Sequence, residues 1–201
     1  MSIKHLYEDE RPALLLDFAN SKTLDPRITF TRNSTATYVD ELGVIKTAAA
    51  GEGRIDHDLA TGECLGLLIE ESRTNTALNS EDFSQWSSVN GSVTTNVASI
   101  EAPDGTNSAD KLSSSTGTWP TYIYQTFTNA GTVRTLSVFA KAGESSWLAM
   151  GGIQYGGEIA WFNLSAGTIH TIGGSITATS IEPLTGGWYR CSVSCNFGAP
   201  G

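Results

Sequence analysis

The sequence has few basic residues and no long apolar run. Of 201 residues, 12 are Lys or Arg and 21 are Asp or Glu, so the net charge is −9 at pH 7. No cluster of Lys or Arg could follow a phosphate backbone, and we therefore expect no nucleic-acid partner. No apolar run approaches the roughly 18 residues of a membrane-spanning helix, and residues 1–12 lack the apolar segment of a signal peptide. We expect a protein that is made in a cytoplasm and is not inserted in a membrane.

Cysteine is scarce as well, with three residues. An odd number excludes a framework in which every cysteine is paired within the chain. Cys191 and Cys195 are four residues apart in a predicted strand, which separates them by about 13 Å, whereas bridged Cα atoms lie within about 7 Å. We expect three free thiols that pack as small apolar side chains. A bridge from Cys64 to one of the others, or to another subunit, is the alternative.

The residue patterns of known catalytic sites are absent too. Glu70 and Glu71 are adjacent, so on a strand their carboxylates point to opposite faces and cannot act as a pair. His5, His57 and His170 are scattered, and the chain has no nucleophile elbow, zinc-protease motif or phosphate-binding loop. The sequence therefore predicts a protein that is not an enzyme.

One short segment concentrates metal-capable side chains. Asp56–Asp58 is followed by Glu63 and Cys64. One His and one Cys fall short of the three or four ligands of a zinc site, and a hard cation requires several oxygens. We interpret this segment as a solvated loop without a metal.

Glycine, serine and threonine are plentiful, with 21 Gly, and this composition favours a sheet-rich protein with many turns. After residue 86, short alternating runs recur at intervals of about 8 to 12 residues, which predicts a β-sandwich or jelly roll. The predicted strands are Val93–Val97, Ala109–Leu112, Tyr122–Phe127, Thr135–Ala140, Trp147–Ile153, Glu158–Asn163, Thr168–Ile172, Ser175–Ile181 and Trp188–Cys195.

The first third of the chain predicts a smaller sheet. Thr35–Val39 and Val44–Thr47 flank the turn residues Asp40–Gly43, a pattern typical of a β-hairpin. A sheet of this size is too small to be stable alone, so we expect it to pack on a neighbour. The other predicted elements are strands at Ala13–Phe18 and Ile28–Arg32 and a loop over residues 51–58.

Between these two patterns, the longest apolar run, Cys64–Ile69, is bounded by turn signals and predicts a buried strand. Ser80 is expected to cap one helical turn, which would place Phe83 and Trp86 on one face. A single continuous domain is the alternative to a boundary here. We divide the all-β chain into a small N-terminal β adaptor region, residues 1–80, and a jelly-roll-like β-sandwich, residues 81–201.

Two stretches carry a resemblance. Leu24–Ala50 reads LDPRITFTRNSTATYVDELGVIKTAAA, and Gly66–Trp86 contains GLLIEESRTN and NSEDFSQW. Both resemble segments of tail-fibre, tailspike and other virion proteins of tailed bacteriophages. Residues 81–201 resemble the carbohydrate-binding-module-like β-sandwich that often follows such segments in those proteins.

The resemblance implies a phage virion structural protein, made in the host cytoplasm and assembled as a homotrimer. Residues 1–80 would attach it to other virion proteins, and residues 81–201 would contact host surface glycan, as in a tail fibre or receptor-binding component. One alternative is a head fibre, decoration or neck connector protein that makes only protein contacts. Another is the N-terminal part of a tailspike depolymerase.

The resemblance transfers no catalytic residue, and we expect no cofactor. Related sandwiches often hold a structural calcium, for which Pro103–Asn107 and Asp110 offer oxygen ligands. A turn without a metal is the preferred interpretation, because proline and glycine supply the turn dihedrals.

Aromatic side chains are the candidate ligand-binding residues, because sugar rings pack their C–H faces on aromatic planes. Trp119, Tyr122 and Tyr155 lie in or next to predicted turns, and we select them as binding residues. Trp161 and Trp188 lie within or at the edge of predicted strands, and we expect them in the core. Packing or a subunit contact is the alternative for each selected residue.

Overall fold

The computed structural model of the chain describes residues 15–59, 61–115, 120–126, 133–152, 158–173 and 176–195. The chain divides into two compact units, Met1–Ser72 and Arg73–Gly201. Antiparallel strand pairs dominate both units, which confirms the all-β prediction. Within the described residues, no helix has the length and apolarity to cross a membrane. The predicted boundary near residue 80, and the roles assigned to the two regions, stay predictions.

The described part of the first unit contains two hairpins. Strands β1 (Ala36–Val39) and β2 (Ile45–Ala48) pair antiparallel, which confirms the predicted hairpin. Asp40 stabilises its turn, because Asp40 Oδ1 accepts from the backbone N–H groups of Leu42 and Val44 at 2.9 Å each. The second hairpin pairs β3 (Ile55–His57) with β4 (Cys64–Leu67).

Three predictions for this unit are wrong. Phe18 begins a helical turn, α1 (Phe18–Ser21), instead of ending a strand; Ala13 and Leu14 lie outside the described residues. Ile28–Arg32 is not a strand; its Arg32 guanidinium donates to backbone carbonyls of the segment after β2, and none of the described strands pairs with it. Residues 51–58, predicted as a loop, contain β3.

Polar side chains explain why β3 is hard to find in the sequence. Arg54 donates to the Thr37 carbonyl at 2.9 Å, and Asp56 Oδ1 accepts from the Val39 N–H at 2.8 Å. The Nδ1 atom of His57 lies 3.0 Å from the Val39 carbonyl oxygen, and Arg54 and His57 are both buried. These side chains cover the edge of β1 that faces away from β2. The predicted solvated loop is therefore a packed link between the two hairpins.

The apolar run Cys64–Ile69 is only partly as predicted. Cys64–Leu67 forms strand β4, but Leu65 is 61% exposed and Ile69 is 76% exposed. A two-stranded sheet shields one face only, and here Gly66 takes the shielded face; a Cβ on it would lie 3.6 Å from the Phe18 Cβ. The burial prediction fails because the sequence does not show how few strands flank β4.

The second unit begins with a turn of 3-10 helix at Phe83–Gln85. Asp82 caps it, not Ser80, because the Asp82 carboxylate directly precedes the turn and accepts from the Ser84 N–H at 3.1 Å. The rings of Phe83 and Trp86 meet edge-on with centroids 5.2 Å apart, which confirms the predicted shared face. Two small antiparallel pairs follow: β5 (Ser87–Val89) with β8 (Tyr122–Tyr124), and β6 (Gly91–Thr94) with β7 (Lys111–Ser114).

Two three-stranded antiparallel sheets form the body of this unit. Sheet A has the order β10–β11–β12, and sheet B has the order β13–β14–β9. Their strands match the predicted ones closely, since alternation is clear over five to eight residues. Jelly-roll connectivity stays a prediction. The strands are β9 (Arg134–Lys141), β10 (Trp147–Gly152), β11 (Glu158–Asn163), β12 (Thr168–Ile172), β13 (Ile176–Pro183) and β14 (Trp188–Cys195).

Sheets A and B pack against each other through their apolar faces. Ala160 and Phe162 of sheet A and Cys191 and Val193 of sheet B have no exposed surface and belong to one cluster. Because inward residues alternate with outward ones along each strand, each sheet also presents an outer face.

Cys64 and Cys191 are free thiols. Cys191 and Cys195 are fully buried in sheet B, as predicted, whereas Cys64 is only partly buried. Burial raises the pKa of the Cys191 thiol to about 11, so this thiol is neutral and unreactive at physiological pH.

Candidate functional site

The structure describes one of the three predicted ligand-binding residues. Trp119 and Tyr155 lie outside the described residues. Tyr122 lies in β8, with its ring centroid 5.9 Å from that of Tyr124, and Tyr124 is 41% exposed. Tyr122 is thus brought together with Tyr124, and its association with the other two selected residues stays a prediction.

Asn90 anchors the chain just before Tyr122. Its backbone carbonyl accepts from the hydroxyls of Ser115 at 2.7 Å and Thr121 at 3.0 Å, and its Nδ2 donates to the Pro120 carbonyl at 3.0 Å. The φ angle of Asn90 is +54°, a region that asparagine enters more readily than most residues. Asn90 therefore holds the start of β8 against the β5–β6 connection.

Among the described aromatic residues, Trp147 has the largest exposed fraction, 45%. Leu148 and Met150 contribute to the core, so Trp147 and Ala149 point outward from β10. On β11, Trp161 alternates with fully buried residues and also points outward. We define the aromatic face as the outer residues Trp147, Ala149, Trp161, Thr168 and His170 of sheet A.

A β-bulge places His170 against Trp147. Phe162 pairs with Ile169 and Trp161 pairs with Thr171, so His170 is the additional residue on β12. Bulges re-aim side chains in this way. The rings of His170 and Trp147 meet with centroids 5.2 Å apart at 63°. The contact reaches across β11 and restricts the orientation of the indole.

The two tryptophans expected in the core differ. Trp188 is 9% exposed, and its Nε1 donates to the Glu101 carbonyl at 2.9 Å, which confirms the expected burial. Trp161 is half-buried on the aromatic face, because its strand position faces away from sheet B.

The outer face of sheet B has different chemistry. Hydroxyl groups bond across the strands, with 2.7 Å between Thr135 Oγ1 and Ser194 Oγ and 2.9 Å between Ser180 Oγ and Ser192 Oγ. Phe139 also points outward on β9 and is 39% exposed. We define the hydroxyl face as Thr135, Ser137, Ser180, Ser192 and Ser194.

The carboxylates of the segment considered for calcium accept hydrogen bonds from other groups of the protein. Asp104 Oδ1 accepts from the backbone N–H of Thr106 at 3.0 Å and from its hydroxyl at 2.7 Å. The Asp110 carboxylate accepts backbone N–H groups from two other segments. In the described part of the chain, no three His, Cys, Asp or Glu side chains are grouped as metal ligands. A structural calcium stays a prediction.

The three predicted binding residues lie in or next to predicted turns, whereas Trp147 and His170 lie in strands and are not among them. The alternation of Trp147 and Ala149 with Leu148 and Met150 is the signal that could have indicated Trp147. The position of His170 depends on the β-bulge, which has no signature in the sequence.

Comparison of the sequence with models of known protein families finds no match, and comparison with curated proteins finds no significant similarity. The likeness to phage virion proteins therefore stays a resemblance.

Proposed function

We propose that this chain is a non-enzymatic virion structural protein of a tailed bacteriophage, a tail fibre or receptor-binding component that contacts host surface glycan. The sequence resemblance supports the virion assignment. One structural observation supports glycan binding. Trp147 is 45% exposed and is held edge-on by His170 on an open sheet surface.

An exposed, oriented indole suits a sugar ring, whose C–H groups pack on its plane. An orientation that is fixed before binding lowers the entropic cost of association. Ala149, the next outward residue on β10, is small and exposed, so a sugar stacked on Trp147 has room to extend along the strand. The exposed Thr168 on β12 supplies a hydroxyl as a hydrogen-bond partner.

Attachment is assigned to residues 1–80, with a homotrimer as the assembly. In the first unit, Leu65 and Ile69 are mostly exposed, and exposed apolar side chains of this kind suit a contact with another virion protein or a sister subunit.

The test compares Trp147→Ala with the unmodified chain in binding to surface polysaccharide purified from a host strain. Loss of one stacking contact is expected to cost about 1 to 3 kcal/mol, which is about a five-fold to 150-fold weaker affinity by calorimetry. Phe139→Ala is the matched control, since Phe139 is a similarly exposed aromatic residue on the other outer face, and its affinity should not change. Equal affinity in all three proteins would exclude the aromatic face as the binding site.

The second candidate is a head fibre, decoration or neck connector protein. The hydroxyl face favours it, because four of its five hydroxyls are bonded to one another in pairs and could be covered by another protein at a small desolvation cost. Immunogold electron microscopy of intact virions with an antibody against residues 81–201 separates the two candidates. Label at the tail tip supports host recognition, and label on the head or neck supports the connector.

A tailspike depolymerase remains the third candidate, and it predicts polysaccharide cleavage by a longer form of the chain. Reducing-end assays on the host polysaccharide would detect that activity.

A further inference from the structure

The aromatic face lies in a stretch of sequence that is almost free of charge. From Ser145 to Ile181 the only Asp, Glu, Lys or Arg is Glu158, and His170 is the only histidine. This stretch contains all three strands of sheet A, together with the connections between them. In a chain with 33 charged residues out of 201, so long an interval without a basic side chain sets sheet A apart.

Lys141, the nearest basic residue before this stretch, lies on β9 and points to the outer side of sheet B. Two further basic groups near the ends of the stretch are paired with carboxylates. Before it, Lys111 lies 2.6 Å from the carboxylate of Glu144. After it, Arg190 lies 3.7 Å from Glu182 on the outer side of sheet B. Neither cation belongs to the aromatic face, and each already has an anionic partner.

We infer that the ligand of the aromatic face is a neutral glycan, built of hexose or N-acetylhexosamine units, and not an acidic polysaccharide. This inference rests on the proposed function. A carboxylate, sulfate or phosphate that loses water on binding requires a cation or several N–H donors in return. The aromatic face offers two indoles, an imidazole, a threonine hydroxyl and a small alanine, and none of its residues carries an ammonium or guanidinium group.

The net charge of the chain also favours a neutral ligand over an acidic one. At −9, the protein repels a polyanion during approach, and no basic patch on sheet A offsets that repulsion. A neutral sugar meets no such barrier. Its hydroxyls exchange hydrogen bonds with water and protein at little net cost, and its C–H face packs on Trp147.

The experiment uses the whole chain and an array that pairs each uronic-acid oligosaccharide with its carboxyl-reduced, neutral counterpart. We expect binding to neutral members and at least about ten-fold weaker binding to their acidic forms. Affinity for the neutral ligand should change less than about two-fold between roughly 20 mM and 200 mM salt, since no ion pair is formed. Trp147→Ala should abolish binding on the array, Trp147→Phe should retain part of it, and Phe139→Ala should retain all of it.

Three other results would contradict the ligand class, the location of the site or the proposed function. Binding of acidic members that weakens steeply with salt would overturn the inference and leave glycan binding intact. Neutral binding that survives in Trp147→Ala would move the site away from this face. If the unmodified chain binds no member, the inference and the glycan part of the proposed function both fail. Weaker self-association of Trp147→Ala in sedimentation would then identify the face as a protein contact.

Discussion

The aromatic face and the hydroxyl face are the outer surfaces of two sheets that share one core, yet they carry different chemistry. Sheet A presents Trp147 and His170 and has no Lys or Arg in its three strands, whereas sheet B presents bonded pairs of hydroxyls beside the Arg190–Glu182 ion pair. Apolar residues at inward positions of both sheets form one buried cluster.

This contrast lies in the outward positions of the two sheets and not in their inward positions. Inward positions are selected for packing, and both sheets fill them with the same type of apolar residue. Outward positions are free of that constraint, so a difference between the two outer faces points to what each surface contacts.

The largest effect should follow removal of the shared core. Phe162→Ala should lower the free energy of unfolding by about 3 to 5 kcal/mol, because it empties a fully buried site. Urea unfolding measures the change. Phe139→Ala, an exposed aromatic on the hydroxyl side, should change it by less than about 1 kcal/mol. Similar values for both variants would mean that the sheets are not packed as described.

The dependence of stability on high pH tests whether Cys191, on the sheet B side of this core, is buried away from water. The Cys191 thiol has its pKa raised from 9.0 to about 11 by burial, so folding favours the neutral form. That contribution is complete below pH 9 and is lost as pH rises through about 11. Unfolding free energy measured from pH 8 to pH 11 should therefore fall more steeply in the unmodified chain than in Cys191→Ala. Parallel curves would contradict the burial of this thiol, and Cys64→Ala, at a partly buried site, serves as the control.

A smaller effect is expected on the hydroxyl face. Ser192→Ala removes the bond to Ser180 at 2.9 Å and should cost about 0.5 to 1.5 kcal/mol of stability. Ser137→Ala, at an exposed position of the same face, should be neutral within about 0.5 kcal/mol. If both are neutral, the hydroxyl pairs do not stabilise the sheet.

The smallest effect on stability should come from Trp147→Ala, although it should have the largest effect on glycan affinity. The variant loses an edge contact with His170, which is expected to contribute about 0.5 kcal/mol. A much larger loss of stability would assign Trp147 a packing role and weaken the proposed function.

Strands β9 to β14 could be predicted well because each has an apolar side that faces the core and a polar or exposed side, and their turns are marked by glycine. The first unit was predicted less well, because it is held by side chains bonding to backbone. The sequence predicts a solvated loop at residues 54–57, yet the side chains of Arg54, Asp56 and His57 each hydrogen-bond to the outer edge of β1. Only part of the candidate site could be predicted from the sequence. The alternation of the strand could have indicated Trp147, whereas His170 contacts Trp147 only because of a β-bulge.

The sequence by itself determined the all-β class, the positions of the long strands and the lack of charge along sheet A, since composition and alternation are local properties. Only the tertiary structure decided which apolar residues are covered and which stay exposed. Cys64–Ile69 and Trp147–Met150 are both short apolar runs that predict strands. The first has a single partner strand, which leaves Leu65 exposed, and the second lies over sheet B, which buries Met150 and turns Trp147 outward. Burial depends on how many strands and sheets surround a residue, and that number is set by contacts between residues far apart in the chain.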